Sequence, residues 1–116
     1  GLDEISLASE TQVTELHQGK ITQYRIAPEL FGLPRASLDS LRVNTAQESL
    51  VLLKKSLSKN GGAASDIVAL NAGAAIYASN VSASLEEGVH RAEDTIGSGA
   101  ALAKFEEFVH FTQYCL

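Results

Sequence analysis

Residues 11–27, TQVTELHQGKITQYRIA, are the part of the sequence that decides the fold class. Val13 lies before a turn signal that contains Gly19, and Tyr24 and Ile26 lie after it. Glycine adopts positive φ without a steric penalty, which suits the tight turn of a β-hairpin. The stretch therefore predicts a β-hairpin over about 11–27. A lone hairpin is only marginally stable in water, so other elements must cover it.

After the hairpin the pattern becomes helical. Pro28 is suited to the first position of a short helical turn, and Ser37 can cap a second one. From about residue 44 to residue 116 the sequence predicts about four α-helices, with Asn44 as the first N-cap. The predicted inward face of the first helix consists of Ala46, Leu50, Leu53 and Leu57. Ser84 and Glu87 have the spacing of a capping box at the start of the third helix. These elements indicate an α/β or an α+β domain.

Composition and charge narrow the classes of protein further. The chain has 116 residues, of which 45% are hydrophobic and 20% charged, as in one ordinary globular domain. The net charge is −5 and the basic residues are scattered, which disfavours nucleic-acid binding. The sequence contains neither an apolar run of membrane-spanning length nor a secretory signal. We therefore expect no membrane association and a cytoplasmic location.

Two features of the residue inventory bear on the chain as a whole. Cys115 is the one cysteine, so an internal disulfide is excluded. The sequence contains no methionine and opens with Gly1, which leads us to expect a piece of a longer protein.

Asp3 and Glu4 are the first candidate for chemistry. Two adjacent carboxylates supply the oxygen ligands that Mg²⁺ prefers, provided that a turn lets both reach the same site. By their spacing alone they are more simply explained as a solvated acidic pair.

The other candidate groups have simpler explanations. Glu86 and His90, like Glu106 and His110, are four residues apart on predicted helices, which would suit metal ligands. Exposed charge pairs explain this spacing better. Glycines before the second and fourth helices are better explained as helix caps than as a phosphate loop. Asn71, on an apolar helix, is expected to make a structural hydrogen bond.

The order of several short motifs resembles a known family along nearly the whole chain. These motifs are residues 1–7 (GLDEISL), 28–33 (PELFGL), 70–77 (LNAGAAIY), 84–89 (SLEEGV) and 98–104 (SGAALAK). Together they are similar to the C-terminal part of anthranilate phosphoribosyltransferase. The resemblance implies that the fold class is α/β. It also implies that residues 1–116 form the C-terminal portion of the nucleoside phosphorylase/phosphoribosyltransferase catalytic domain.

The resemblance also implies an activity. Enzymes of this family are glycosyltransferases that move phosphoribose from phosphoribosyl pyrophosphate to anthranilate in tryptophan biosynthesis. They use Mg²⁺, and the full chain is expected to form a homodimer. By the same resemblance, Asp3 binds one Mg²⁺ and Glu4 bridges toward both metals of the site.

The resemblance does not cover the substrate-binding residues of the family. The glycine-rich phosphate loop and the anthranilate-binding residues of the family lie upstream of this chain, so no catalytic residue is assigned here. The isolated chain is expected to be inactive. A non-catalytic ligand-binding or interaction module of the same fold is the alternative, and a related phosphoribosyl enzyme or nucleoside phosphorylase is a third interpretation.

Overall fold

A β-hairpin opens the regular structure, as predicted. The computed structural model describes residues 2–115. Strands β1 (Thr11–His17) and β2 (Lys20–Ile26) pair antiparallel, with Thr11 opposite Ile26. Gln18 and Gly19 form the turn with φ of 50° and 78°. Two central residues with positive φ define the tight turn that matches the twist of paired strands.

Two short 3-10 turns follow the hairpin where they were predicted. The first, Pro28–Phe31, begins with proline and ends at Gly32, which has a φ of 72°. The second, Leu38–Leu41, is capped by Ser37, whose hydroxyl accepts a hydrogen bond from the Asp39 amide. Proline supplies the helical φ at the first position, and the serine satisfies an otherwise free N–H group.

Helical structure occupies most of the remaining described chain. Its four α-helices within residues 2–115 are α1 (Ala46–Ser56), α2 (Ala63–Ala78), α3 (Leu85–Gly97) and α4 (Ala100–Tyr114). The predicted capping box of α3 is confirmed: the Ser84 hydroxyl accepts from the Glu87 amide at 3.1 Å. Residue 116, the predicted end of the helical region, lies outside the described residues.

The predicted N-cap of α1 is wrong by one position. The cap is Thr45, whose hydroxyl accepts from the Glu48 amide at 3.1 Å. The Asn44 amide instead donates to the Glu48 carboxylate at 2.8 Å. The glutamate thus completes a reciprocal cap with the threonine, which satisfies two backbone donors at once.

The hydrophobic core lies between the hairpin, the segment before it and helices α2 and α3. Its buried members are Leu7, Ile26, Phe31, Leu33, Leu70 and Val89. Val13 and Tyr24 pack against this core from the hairpin. One face of the hairpin is therefore covered, as its stability requires.

The predicted inward face of α1 is wrong. Leu50 and Leu53 are 48% and 39% exposed, whereas Ser56 is buried. The helix turns toward α2 through Ser56 because Ser65 of α2 approaches the end of α1, where its hydroxyl donates to Ser58 O at 2.8 Å.

No helix in residues 2–115 is long and apolar enough to cross a membrane.

Candidate functional site

The acidic pair lies at a bend in the segment that precedes β1. Asp3 has a φ of 72°, in the left-handed region, and both Asp3 and Glu4 are exposed. Aspartate tolerates this conformation better than most residues because its short side chain bonds locally. The alternation of a regular strand therefore does not apply here, and nothing in the local backbone forces the two carboxylates to opposite faces.

The backbone immediately after the pair is held by a helix distant in sequence. Asn71 of α2 accepts from the Ile5 amide through Oδ1 at 2.9 Å and donates through Nδ2 to the Ile5 carbonyl at 3.0 Å. Two residues further on, the Leu7 carbonyl accepts from the Ala36 amide at 3.0 Å, and the Leu7 side chain is fully buried. The exposed pair thus extends from an anchored segment. The hydrogen bond expected of Asn71 is confirmed.

The pair borders an open depression of about 550 Å³. Ser6, Ser9 and Thr11 also line it, so its polar lining is rich in oxygen atoms. No group of three or more His, Cys, Asp or Glu in residues 2–115 is arranged to hold a metal ion. Two carboxylates nevertheless fit Mg²⁺, which takes one or two carboxylates and completes its shell with phosphate and water. As a set of donors, the pair fits part of a magnesium site.

The two histidine pairs considered as metal ligands have other partners. His90 Nδ1 lies 3.0 Å from the carboxylate of Glu93, three residues along α3. The His110 ring makes an edge contact with Tyr114, with 4.7 Å between ring centroids. Both arrangements are ordinary pairing on exposed helix faces.

Backbone conformation explains the glycines at the starts of two helices. Gly62 and Gly99 are the N-cap residues of α2 and α4 and have φ of 59° and 84°. Few residues other than glycine adopt such angles at low cost. These values support the interpretation of the glycines as helix caps.

A second polar group, centred on Glu15 of β1, was not predicted from the sequence. Its carboxylate accepts from the Tyr77 hydroxyl at 2.6 Å and from the Tyr24 hydroxyl at 3.0 Å. The two hydroxyls lower the pKa of Glu15, Tyr77 having the larger effect. Burial first, and then the bond to Glu15, raise the pKa of Tyr24 to about 12. Alternation along β1 could have placed Glu15 on the face of Val13, but not beside Tyr77, 62 residues away.

The hairpin, the helices that pack against it and the anchored acidic segment ahead of it form part of an α/β domain. A family model described as "Glycosyl transferase family, a/b domain" matches residues 1–102, and the chain belongs to that family. The match includes the acidic pair, the hairpin and helices α1 to α3.

Curated relatives give a finer comparison. The chain is 53% identical over 116 residues to an anthranilate phosphoribosyltransferase of Hahella chejuensis, across 97% of this chain and 34% of the relative. It is 50% identical to the enzyme of that name from Alkalilimnicola ehrlichii, across 97% of this chain and 33% of the relative. The chain thus spans about a third of the length of the curated relatives it matches.

Solved structures agree with this placement. The anthranilate phosphoribosyltransferase of Thermus thermophilus superposes with a TM-score of 0.85 at 37% identity, covering 97% of this chain and 33% of the other. The Saccharomyces cerevisiae enzyme, solved in complex with phosphoribosyl pyrophosphate and Mg, superposes at 0.78 and 27% identity, covering 95% and 32%. The predicted α/β fold class and the family resemblance are both confirmed.

Proposed function

We propose that this chain is the C-terminal third of an anthranilate phosphoribosyltransferase. The whole enzyme transfers the phosphoribosyl group of phosphoribosyl pyrophosphate to the amine of anthranilate and releases pyrophosphate, a step of tryptophan biosynthesis. The observation that carries the proposal is 53% identity over nearly the whole chain to a protein of that name. A yeast enzyme with the same fold over this region binds phosphoribosyl pyrophosphate and Mg.

Within that enzyme, Asp3 would hold one Mg²⁺ and Glu4 would reach toward both ions of the site. Support comes from the donor chemistry, the exposure of both side chains and the bend that frees them from strand geometry. Magnesium held there would neutralise the negative charge that develops on pyrophosphate as it leaves. The two carboxylates fix where that neutralisation takes place.

The carboxylates act neither as nucleophile nor as general base in this proposal. The attacking atom is the amine nitrogen of anthranilate, and the other substrate-binding groups lie in the two-thirds of the enzyme that precede residue 1. The isolated chain is therefore expected to be inactive. Homodimer formation and a cytoplasmic location stay predictions for the full-length protein.

Turnover by the full-length protein tests the proposal. Anthranilate fluorescence is followed after addition of phosphoribosyl pyrophosphate and Mg²⁺, for the wild type and for the double variant Asp3→Asn, Glu4→Gln. We expect the fluorescence to fall with the wild type. In the variant the rate should drop by at least about 100-fold, since even outer-shell partners of metals contribute about 10–100-fold.

The control is the double variant Glu106→Gln, Glu107→Gln, which removes the same charge from adjacent exposed positions of α4. Its rate should stay within about twofold of the wild type, because surface changes away from a site have small effects. Equal rates in all three proteins would keep the transferase and overturn the metal role of Asp3 and Glu4. A folded wild-type protein without turnover would favour the non-catalytic module of the same fold.

A further inference from the structure

Asn71 uses every hydrogen-bonding group of its side chain to fix one backbone position. Its Oδ1 accepts from the Ile5 amide at 2.9 Å, and its Nδ2 donates to the Ile5 carbonyl at 3.0 Å. The same Nδ2 also donates to the Ile67 carbonyl one helical turn earlier, at 2.9 Å. An amide group has one acceptor and two N–H donors, and all three are used here.

The bond to Ile67 gives the side chain a fixed orientation. It ties Nδ2 to the helix that carries Asn71, so rotation of the amide would break a bond within α2. The other two bonds then meet both polar groups of a single residue 66 positions away, as a neighbouring strand would. The backbone of Ile5 is therefore held at a fixed position along α2.

Ile5 is joined to Glu4 by one peptide bond, so this tie acts directly on the acidic pair. The next restraints along the chain are further away: the Ser6 amide donates to the Thr11 hydroxyl at 3.1 Å, and Leu7 O accepts from Ala36 N. These bonds hold the residues that follow. The residue next to the pair is held by the Asn71 bonds to the Ile5 backbone, beside the packing of the Ile5 side chain against the core. The carboxylates themselves are exposed, so their direction depends on the backbone that carries them.

We propose that Asn71 is the positioning residue of the metal-binding pair. Its hydrogen bonds to the Ile5 backbone fix the position of the backbone that carries Asp3 and Glu4. The inference deepens the proposed function and rests on it. Groups that orient metal ligands without touching the metal contribute about 10–100-fold to affinity. A positioning role predicts that loss of Asn71 weakens metal binding while the fold persists.

The test measures Mn²⁺ binding to the full-length protein in the presence of phosphoribosyl pyrophosphate, by the electron paramagnetic resonance signal of free Mn²⁺. Mn²⁺ stands in for Mg²⁺ because both prefer carboxylate and water ligands. Asn71→Leu removes all three bonds. Asn71→Asp keeps the acceptor for the Ile5 amide but loses both donors. We expect the Mn²⁺ dissociation constant to rise about tenfold in both variants.

Tyr77→Phe is the matched control. Tyr77 lies on the same helix and also reaches far along the chain, donating to Glu15, 62 residues away. Its removal loosens a tie between α2 and the hairpin without touching the acidic segment. We expect the Mn²⁺ dissociation constant of this variant to stay within about twofold of the wild type, as for a change outside the site.

Hydrogen exchange separates positioning from folding. The Ile5 amide should exchange at least about tenfold faster in the Asn71 variants, while the Ala36 amide keeps its protection. Loss of the Ala36 protection in both variants would show that Asn71 is needed for folding and would overturn the proposal. If only Asn71→Leu unfolds, the Mn²⁺ dissociation constant of Asn71→Asp tests the proposal.

The outcomes of these measurements distinguish a failure of this inference from a failure of the proposed function. Wild-type Mn²⁺ binding that is unchanged in the folded Asn71 variants would overturn the inference alone. A folded wild-type protein that does not bind Mn²⁺ would overturn the metal role and the inference together. Equal weakening by Tyr77→Phe would reduce the effect to a general loosening of α2 and would also overturn the inference.

Discussion

Gly73 of α2 and Gly88 of α3 bring two helix backbones into direct contact. A Cβ atom placed on Gly88 would lie 2.3 Å from the Gly73 carbonyl oxygen, and one placed on Gly73 would lie 2.6 Å from Val89 Cα. Both distances are too short for non-bonded carbon, so only glycine fits at either position. Because Asn71 lies two residues before Gly73, this contact fixes the helix from which the acidic segment is held.

Adding a single methyl group at this crossing should destabilise the protein. We predict that Gly73→Ala lowers the free energy of unfolding by about 2 kcal/mol or more, because the obstructing atoms belong to the backbone of α3 and cannot rotate away. Urea denaturation measures the change. Gly97→Ala is the control, since a Cβ atom placed on Gly97 would meet nothing within 4 Å and the φ of Gly97 is not positive. A loss with Gly97→Ala as large as that with Gly73→Ala would contradict this account of the crossing.

The contact between the hairpin and α2 should weaken in acid. Hydrogen bonds from Tyr77 and Tyr24 lower the pKa of Glu15 below its ordinary value of 4.5 in the folded state. The unfolded state therefore binds a proton first, so this group stabilises the fold above pH 4.5 and the stabilisation is lost as pH falls below it. We predict a smaller acid-induced drop of the urea midpoint for Glu15→Gln than for the wild type, between pH 6 and pH 3.

At high pH the same group predicts a late tyrosine titration. Burial and Glu15 raise the pKa of Tyr24 from 10.0 to about 12. Its neutral form is favoured in the folded state, so this stabilisation is complete below pH 10 and is lost as pH rises toward 12. The tyrosinate absorbance of Tyr24→Phe, subtracted from that of the wild type, should isolate a transition near pH 12. Replacing Glu15 by Gln should move that transition down only in part, because burial, the largest single cause of the raised pKa, remains. A difference curve centred at pH 10 would be the contrary result.

Removal of the α3 cap should have a modest and measurable cost. Ser84→Ala leaves the Glu87 amide without its acceptor, and we predict a loss of about 1 kcal/mol in the free energy of unfolding. Thr112→Ala removes an exposed hydroxyl that donates to Val109 O within α4, and should change stability by less than about 0.5 kcal/mol. Equal effects of the two substitutions would show that Ser84 does not act as a cap.

Residues 1–116 expressed alone should self-associate. Val51 of α1 and Phe108 and Phe111 of α4 are 68%, 62% and 64% exposed, and large exposed apolar side chains favour association. We predict a rise of the weight-average mass with concentration in sedimentation velocity. The double variant Phe108→Glu, Phe111→Glu should reduce that rise. A wild-type chain that stays monomeric at high concentration would be evidence against it.

Local signals made much of the fold predictable. The hairpin turn, the Pro28 turn and the Ser84 capping box each depend on residues within a few positions of one another, and all three are present. The N-cap of α1 was misplaced by one residue because Asn44 and Thr45 are both good caps. Only the reciprocal bonds of Glu48 distinguish between them.

Features that depend on distant partners were not predictable from spacing. The partner of Asn71 is 66 residues away, and the Gly73–Gly88 contact depends on how two helices cross. The inward face of α1 was predicted wrongly because its leucines recur with a helical period. In the structure, Ser56 is the residue of α1 that is buried, because α2 packs on that side. The acidic pair itself drew attention through its resemblance to a family, since two adjacent carboxylates are weak evidence alone.

The most direct test of the central claim locates the metal. Crystals of the full-length protein grown with phosphoribosyl pyrophosphate and Mn²⁺ would be measured at the manganese absorption edge. We predict anomalous peaks about 2.1 Å from carboxylate oxygens of both Asp3 and Glu4, close to the distance at which Mg²⁺ binds oxygen ligands. Peaks bound only to pyrophosphate oxygens, or to carboxylates elsewhere in the protein, would contradict it.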